Sequence, residues 1–106
     1  MLKIVTGDDV SIKVQLQKDE VTFVIDSGAT VRAGVVKDGV IIIGPAPCLS
    51  DAAGADWNTS LVVVSFSSAE TAAATDYGKS HLEIEVDDGG KLTWFVFVNV
   101  IQGFIT

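Results

Sequence analysis

A chain of 106 residues, 48% hydrophobic and 20% charged, fits one domain with one core, yet carries more apolar side chains than so small a domain can hide. Its formal charge of −7 argues against nucleic acid and anionic membranes, whose partners present basic surfaces. The single cysteine, Cys48, excludes an intrachain disulfide and a multi-cysteine zinc site.

No apolar run approaches the roughly 20 residues of a membrane span. Residues 1–6 are too few, and too soon followed by Gly7, Asp8 and Asp9, to form the apolar heart of a secretory leader. The clearest periodicity comes next: Val10, Ile12, Val14 and Leu16 alternate with Ser11, Lys13, Gln15 and Gln17, which predicts a strand with one wet face. Lys18, Asp19 and Glu20 form a polar turn into a second predicted strand, 21–25, rich in β-branched and aromatic residues. Asp26, Ser27 and Gly28 turn the chain again.

The run 30–36 is β-like, and Lys37-Asp38-Gly39 turns it into the apolar stretch 40–43, Asp-Gly being a strong hairpin signal. The pattern then stops. Pro45, Pro47, Asp51, Gly54 and Asp56 predict a long surface loop over 44–60. A strand resumes at 61–66, followed by Ser67-Ser68-Ala69-Glu70, a capping box that predicts one short helical turn near 68–74, closed by Tyr77 and Gly78. From 81 to 86 Leu82, Ile84 and Val86 face inward, and Asp87-Asp88-Gly89-Gly90 closes another hairpin. The last run, 92–101, is apolar on both faces: Trp94, Val96, Val98 and Val100 on one, Phe95 and Phe97 on the other. Such a strand must be covered on both sides, by its own chain or by a neighbour. Short strands at this spacing with one helical turn predict an all-β chain, a single β-sandwich domain over 1–106.

The candidate sites each have two readings. Asp26-Ser27-Gly28-Ala29, after Phe23-Val24-Ile25, looks like the catalytic loop of retropepsin-like aspartic proteases, where two copies each supply one carboxylate of a shared-proton pair. No glycine-rich flap and no late Gly-Arg segment accompany it, and the same residues make an ordinary turn. Cys48 and His81, the only cysteine and histidine, could formally make a nucleophile–base pair. Asp8 with Asp9, Asp51 with Asp56, and Asp87 with Asp88 lack the spaced ladder that wraps calcium. Trp57, Tyr77 and Trp94 could form an aromatic platform for sugar rings. Trp94 has aliphatic neighbours on its face and reads as core, whereas Trp57, in the long loop with Leu49, either plugs the edge of its own core or anchors a partner.

The second half, FSSAETAAAT, then Tyr77-Gly78, then HLEIEV, DDGG and LTWFVFVNVIQG, resembles a small immunoglobulin-like sandwich found in tailed-phage virion proteins, including the N-terminal domain of upper-baseplate proteins of lactococcal-type phages. Gly7-Asp8 and Ser27-Gly28-Ala29-Thr30-Val31 match the same pattern. The resemblance implies an immunoglobulin-like antiparallel β-sandwich with Thr71, Asp88 and Gly89 as scaffold positions. It also implies a non-enzymatic virion structural protein without cofactor or metal, made in the host cytoplasm: an adaptor for a tail fibre or spike, or a capsid decoration protein. Its partners would be other virion proteins, with the chain a homo-oligomer or lattice-bound. The resemblance carries over no functional residues; the surplus of apolar side chains in the last run and the long loop makes Trp57, Leu49, Phe95 and Phe97 the expected contact residues. The alternatives are a dimeric aspartic protease using Asp26 and a carbohydrate-binding module.

Overall fold

The computed structural model describes residues 2–103. Seven strands follow in chain order: β1 (Leu2–Val5), β2 (Val10–Gln15), β3 (Thr30–Lys37), β4 (Val40–Pro47), β5 (Leu61–Phe66), β6 (Gly78–Asp87) and β7 (Lys91–Ile101). A 3₁₀ turn at Trp57–Thr59 and a one-turn helix, α1 (Ser68–Ala72), complete the elements.

Five strands form one sheet in the order β1-β7-β6-β3-β4, and β2 pairs with β5 in a second. The chain changes sheet on either side of β2 and on either side of β5, while β3–β4 and β6–β7 stay together as hairpins, so the five-stranded sheet and the pair form a β-sandwich. Every pair is antiparallel but one: β1 runs parallel to β7, with Leu2 opposite Val98 and Val5 opposite Ile101. The reason lies in the corner 6–9, where Gly7 takes a φ of 89°. There the chain leaves the large sheet for the small one, and β1 remains behind as an edge strand beside β7. The antiparallel expectation is corrected at that one pair.

The alternation read in the sequence sets the core. Ile4, Val31, Val35, Ile43, Leu82, Ile84, Val98 and Val100 from the large sheet meet Val62, Val64 and Phe66 of β5 and Leu16 beyond β2, all buried. Each fully buried side chain of this kind contributes about 1.5–3 kcal/mol. In β6 the alternation is unbroken from Ser80 to Val86, which turns His81, Glu83 and Glu85 outward.

Two buried hydroxyls tie the corners together. Thr71 Oγ1 donates to the Asp8 carbonyl at 2.7 Å and accepts from the Gly7 N–H at 3.0 Å, which fixes α1 against the β1–β2 corner. Ser60 Oγ donates to the Leu16 carbonyl at 2.6 Å and accepts from the Phe23 N–H at 3.3 Å. The predicted capping box is formed, with Ser67 Oγ accepting from the Glu70 N–H and Glu70 Oε1 from the Ser67 N–H. It starts a helix that ends two residues short of the predicted 68–74.

Two expectations are corrected. The run 21–25 is not a strand. Asp19 and Glu20 do make a tight turn, both with positive φ, but it closes a single bridge between Lys18 and Val21. Beyond it the main chain bonds to the 3₁₀ turn instead, with the Ile25 N–H donating to the Trp57 carbonyl at 2.8 Å. Phe23 turns inward and stacks on Trp94, ring centroids 5.6 Å apart. The surface loop of 44–60 is shorter than expected, because β4 continues through Pro47, with Ala46 opposite Ala33 and Pro47 opposite Arg32. Prolines are tolerated there because β4 is an edge strand, where a missing N–H costs no ladder bond. The register shifts around Val35 accommodate the kink at Gly44, which has a φ of 84°.

Candidate interaction surface on the outer face of the large sheet

The outer face of the five-stranded sheet is built in rungs. One carries Phe97, His81, Val36 and Ile41 across β7, β6, β3 and β4; the next carries Phe95, Glu83 and Gly34. Phe95 is 60% exposed and Phe97 75%, although both stand on a strand bonded to β6 along its whole length. Strand pairing fixes their positions, so exposure here is not a loop tip swinging in water. His81 packs edge-on against Phe95 at 5.3 Å between ring centroids and places Nε2 3.7 Å from Glu83 Oε1. At Gly34 the face is shallow. A Cβ there would come within 3.2 Å of the Ile43 carbonyl oxygen and 3.5 Å of Ile41 Cγ2. A trough therefore runs beside the phenylalanine ridge, rimmed by Arg32 and Glu85, which pair at 3.1 Å.

Of the four residues expected to meet a partner, three are exposed and one is not. Leu49 is 57% exposed, but it follows the end of β4, with β3 and β6 between it and the phenylalanines on β7. It does not extend their patch. Trp57 is corrected outright: it is 9% exposed and belongs to the core cluster with Ile25, Val31 and Cys48. Of its two sequence readings, the plug of its own core edge is the one the fold builds. Asp56 caps the turn that carries it, its Oδ1 accepting from the Asn58 N–H at 3.2 Å. The indole Nε1 is buried with no hydrogen-bond partner among the described residues. Trp94 is half-buried, and its Nε1 donates to the Gln17 carbonyl at 2.9 Å.

The remaining candidates hold the following places. Asp26 Oδ1 accepts from the Gly28 N–H at 3.0 Å, an Asx turn at the rim of a shallow hollow beside Trp57. Cys48 and His81 lie on opposite faces of the large sheet, Cys48 in the core and His81 outside. Burial pushes the Cys48 thiol up to about 11, so it is protonated at neutral pH and a poor nucleophile. Among the described residues no three His, Cys, Asp or Glu side chains converge as metal ligands. Asp9 Oδ1 accepts from the Ser68 N–H at 2.7 Å and so ties its corner to the start of α1, and Asp87 Oδ1 accepts from the Gly89 N–H at 3.1 Å within the β6–β7 turn.

One feature escaped the sequence. Beside β7, β1 covers only the stretch from Val98 to Ile101. Among the described residues no strand lies on that side of 91–97, opposite β6, so the aromatic half of β7 is also an open sheet edge. The signal was present in the brevity of residues 2–5 against the ten-residue final run 92–101, but their pairing could not be read from periodicity.

Fold and surface together define a small all-β sandwich domain with one aromatic, partly open sheet face. Compared with known protein families and with curated proteins, the chain matches none.

Proposed function

We propose that this chain is a non-enzymatic structural component of a phage virion. It would act by protein–protein binding, as an adaptor for a tail fibre or spike or as a decoration protein on the capsid. The observation that carries the binding part of this reading is the pair Phe95 and Phe97, large apolar side chains held rigidly in water. Rigid aromatic anchors lose little conformational entropy on docking and are enriched where interfaces gain most of their energy. The virion assignment rests on the resemblance of the turn-and-strand pattern from Phe66 to Gly103 to phage sandwich domains. On a repeated lattice, individually weak contacts suffice, because many copies raise the effective concentration.

The test is capture of other virion proteins by the folded chain, compared with the double variant Phe95→Ala, Phe97→Ala. The wild-type chain is expected to retain a virion protein and the double variant to lose it by tenfold or more in affinity. Equal capture by both would remove the outer face from the reading, and no capture by either would remove the reading itself.

A further inference from the structure

We infer that the open edge of β7 is a pairing site for a second copy of this chain, joined antiparallel, β7 to β7, about a two-fold axis at Thr93. This deepens the binding-module reading above and rests on it. The starting point is the unpaired lane beside 91–97. A sheet edge presents a row of free N–H and C=O groups, and folded proteins ordinarily blunt it with charges, proline or a bulge. Within the lane the only charge is Lys91 at its start, there is no proline and no glycine from 91 to 97, and β7 pairs with β6 without a register break. The lane opposite Val98 to Ile101 is already filled by β1, so any added strand must lie against the first half alone.

That boundary sets the register. With Thr93 opposite its own copy, Lys91 falls opposite Phe95 and Leu92 opposite Trp94. The copy's turn 88–90 then leaves the lane before reaching Leu2. Centring the pair further along β7 would drive that turn into β1. Directly opposite residues share a face in an antiparallel pair, so the pairing is chemically specific. On the outer face the Lys91 ammonium of one chain meets the Phe95 ring of the other, a cation–π contact, and Thr93 meets Thr93. Leu92, exposed on the inner side, is covered by Trp94 of the copy. Phe97 comes beside the copy's Gly89-Gly90, where a Cβ added at either glycine would have no atom within 4 Å, so the ring finds room.

Two chains of −7 repel at long range, and the paired segment 91–95 carries Lys91 and no carboxylate, so the pairing itself sets no carboxylate of one strand against one of the other. Five paired residues span about 17 Å, a small contact of the weak, concentration-dependent class.

Sedimentation velocity over a rising concentration of the full chain, with amide hydrogen exchange on the same samples, tests this. Expected is a reversible dimer, strengthened by salt, in which alternate amides between Lys91 and Val96 exchange more slowly than in the monomer. Thr93→Lys, a change at an exposed position whose neighbour across the sheet is Glu85, sets two ammonium groups against each other at the axis and should weaken association at least tenfold without lowering the monomer's melting temperature. A dimer with unprotected edge amides would mean face-to-face packing and would overturn the edge pairing. A chain monomeric throughout that still captures a virion protein through Phe95 and Phe97 would overturn self-pairing and leave the binding-module reading intact. A monomer that captures nothing would end both.

Discussion

The two halves of β7 carry one alternating pattern and live in different surroundings. From Val98 to Ile101 the strand has β6 on one side and β1 on the other, and Val98 and Val100 are buried in the core. From Lys91 to Phe97 it has, among the described residues, β6 alone, Trp94 and Val96 are only half-buried, and Phe95 and Phe97 stand in water. Nothing in local propensity separates them; Val96 and Val98 are the same residue on the same face. The difference is the length of β1, four residues against eleven. A short neighbour converts one end of an ordinary strand into core and leaves the other as a surface with both an exposed side-chain ridge and an unpaired backbone. That teaches that exposed aromatics in a small domain are best judged by what flanks their strand.

The comparison can be broken from the buried end. Ile4→Ala, at a fully buried position opposite Val100, is expected to cost about 2–5 kcal/mol. It should also loosen β1, so that amides of 98–101 exchange as readily as an edge strand's; unchanged exchange there would show that β1 does not make the difference. Val98→Ala should cost about 2 kcal/mol by denaturant unfolding, since it removes two buried methyl groups and leaves a cavity.

A pH titration then supplies a control remote from both halves. The Cys48 thiol is raised by burial from its ordinary 9.0 to about 11 in the folded chain. A group whose folded value is raised contributes stability that is complete below its unfolded value and lost as pH climbs through the folded one. Stability should therefore fall between pH 9 and 11, and Cys48→Ala should flatten that decline. Because β3 and β6 separate the end of β4, where Cys48 follows, from β7, the same decline should appear in Ile4→Ala; a different slope would mean that the sheet transmits the change. The smallest effect belongs to the exposed half. Phe97→Ala should change stability by no more than about 0.5 kcal/mol, since a side chain so exposed contributes little to the fold. A larger loss would show that Phe97 supports its own sheet rather than awaiting a partner.

Much of this was legible beforehand because it is local chemistry. Period-two alternation placed β2 and β6, β-like runs placed β3 and β5, the Ser67–Glu70 capping box placed α1, and Asp38-Gly39 placed a turn that the chain makes with both residues at positive φ. The candidate surface was legible in part: the two-sided apolar character of 92–101 flagged Phe95 and Phe97. Trp57 could not be settled, since a loop aromatic with polar neighbours looks alike whether it plugs a core or projects from it.

What the sequence by itself determined was therefore the alternation, the turns, the cap and the surplus of apolar residues, each of which depends on residues a few positions apart. Tertiary structure alone decided the rest, because it depends on which distant segments share a lane. Phe23 stacks on Trp94 and so gives up a strand, Pro45 and Pro47 sit in a strand because it is an edge, and Trp57 closes the core. Among the described residues the pairing of β1 with β7 begins at Leu2, opposite Val98. A residue's environment is set by its neighbours in space, and for the final strand those neighbours come from the opposite end of the chain.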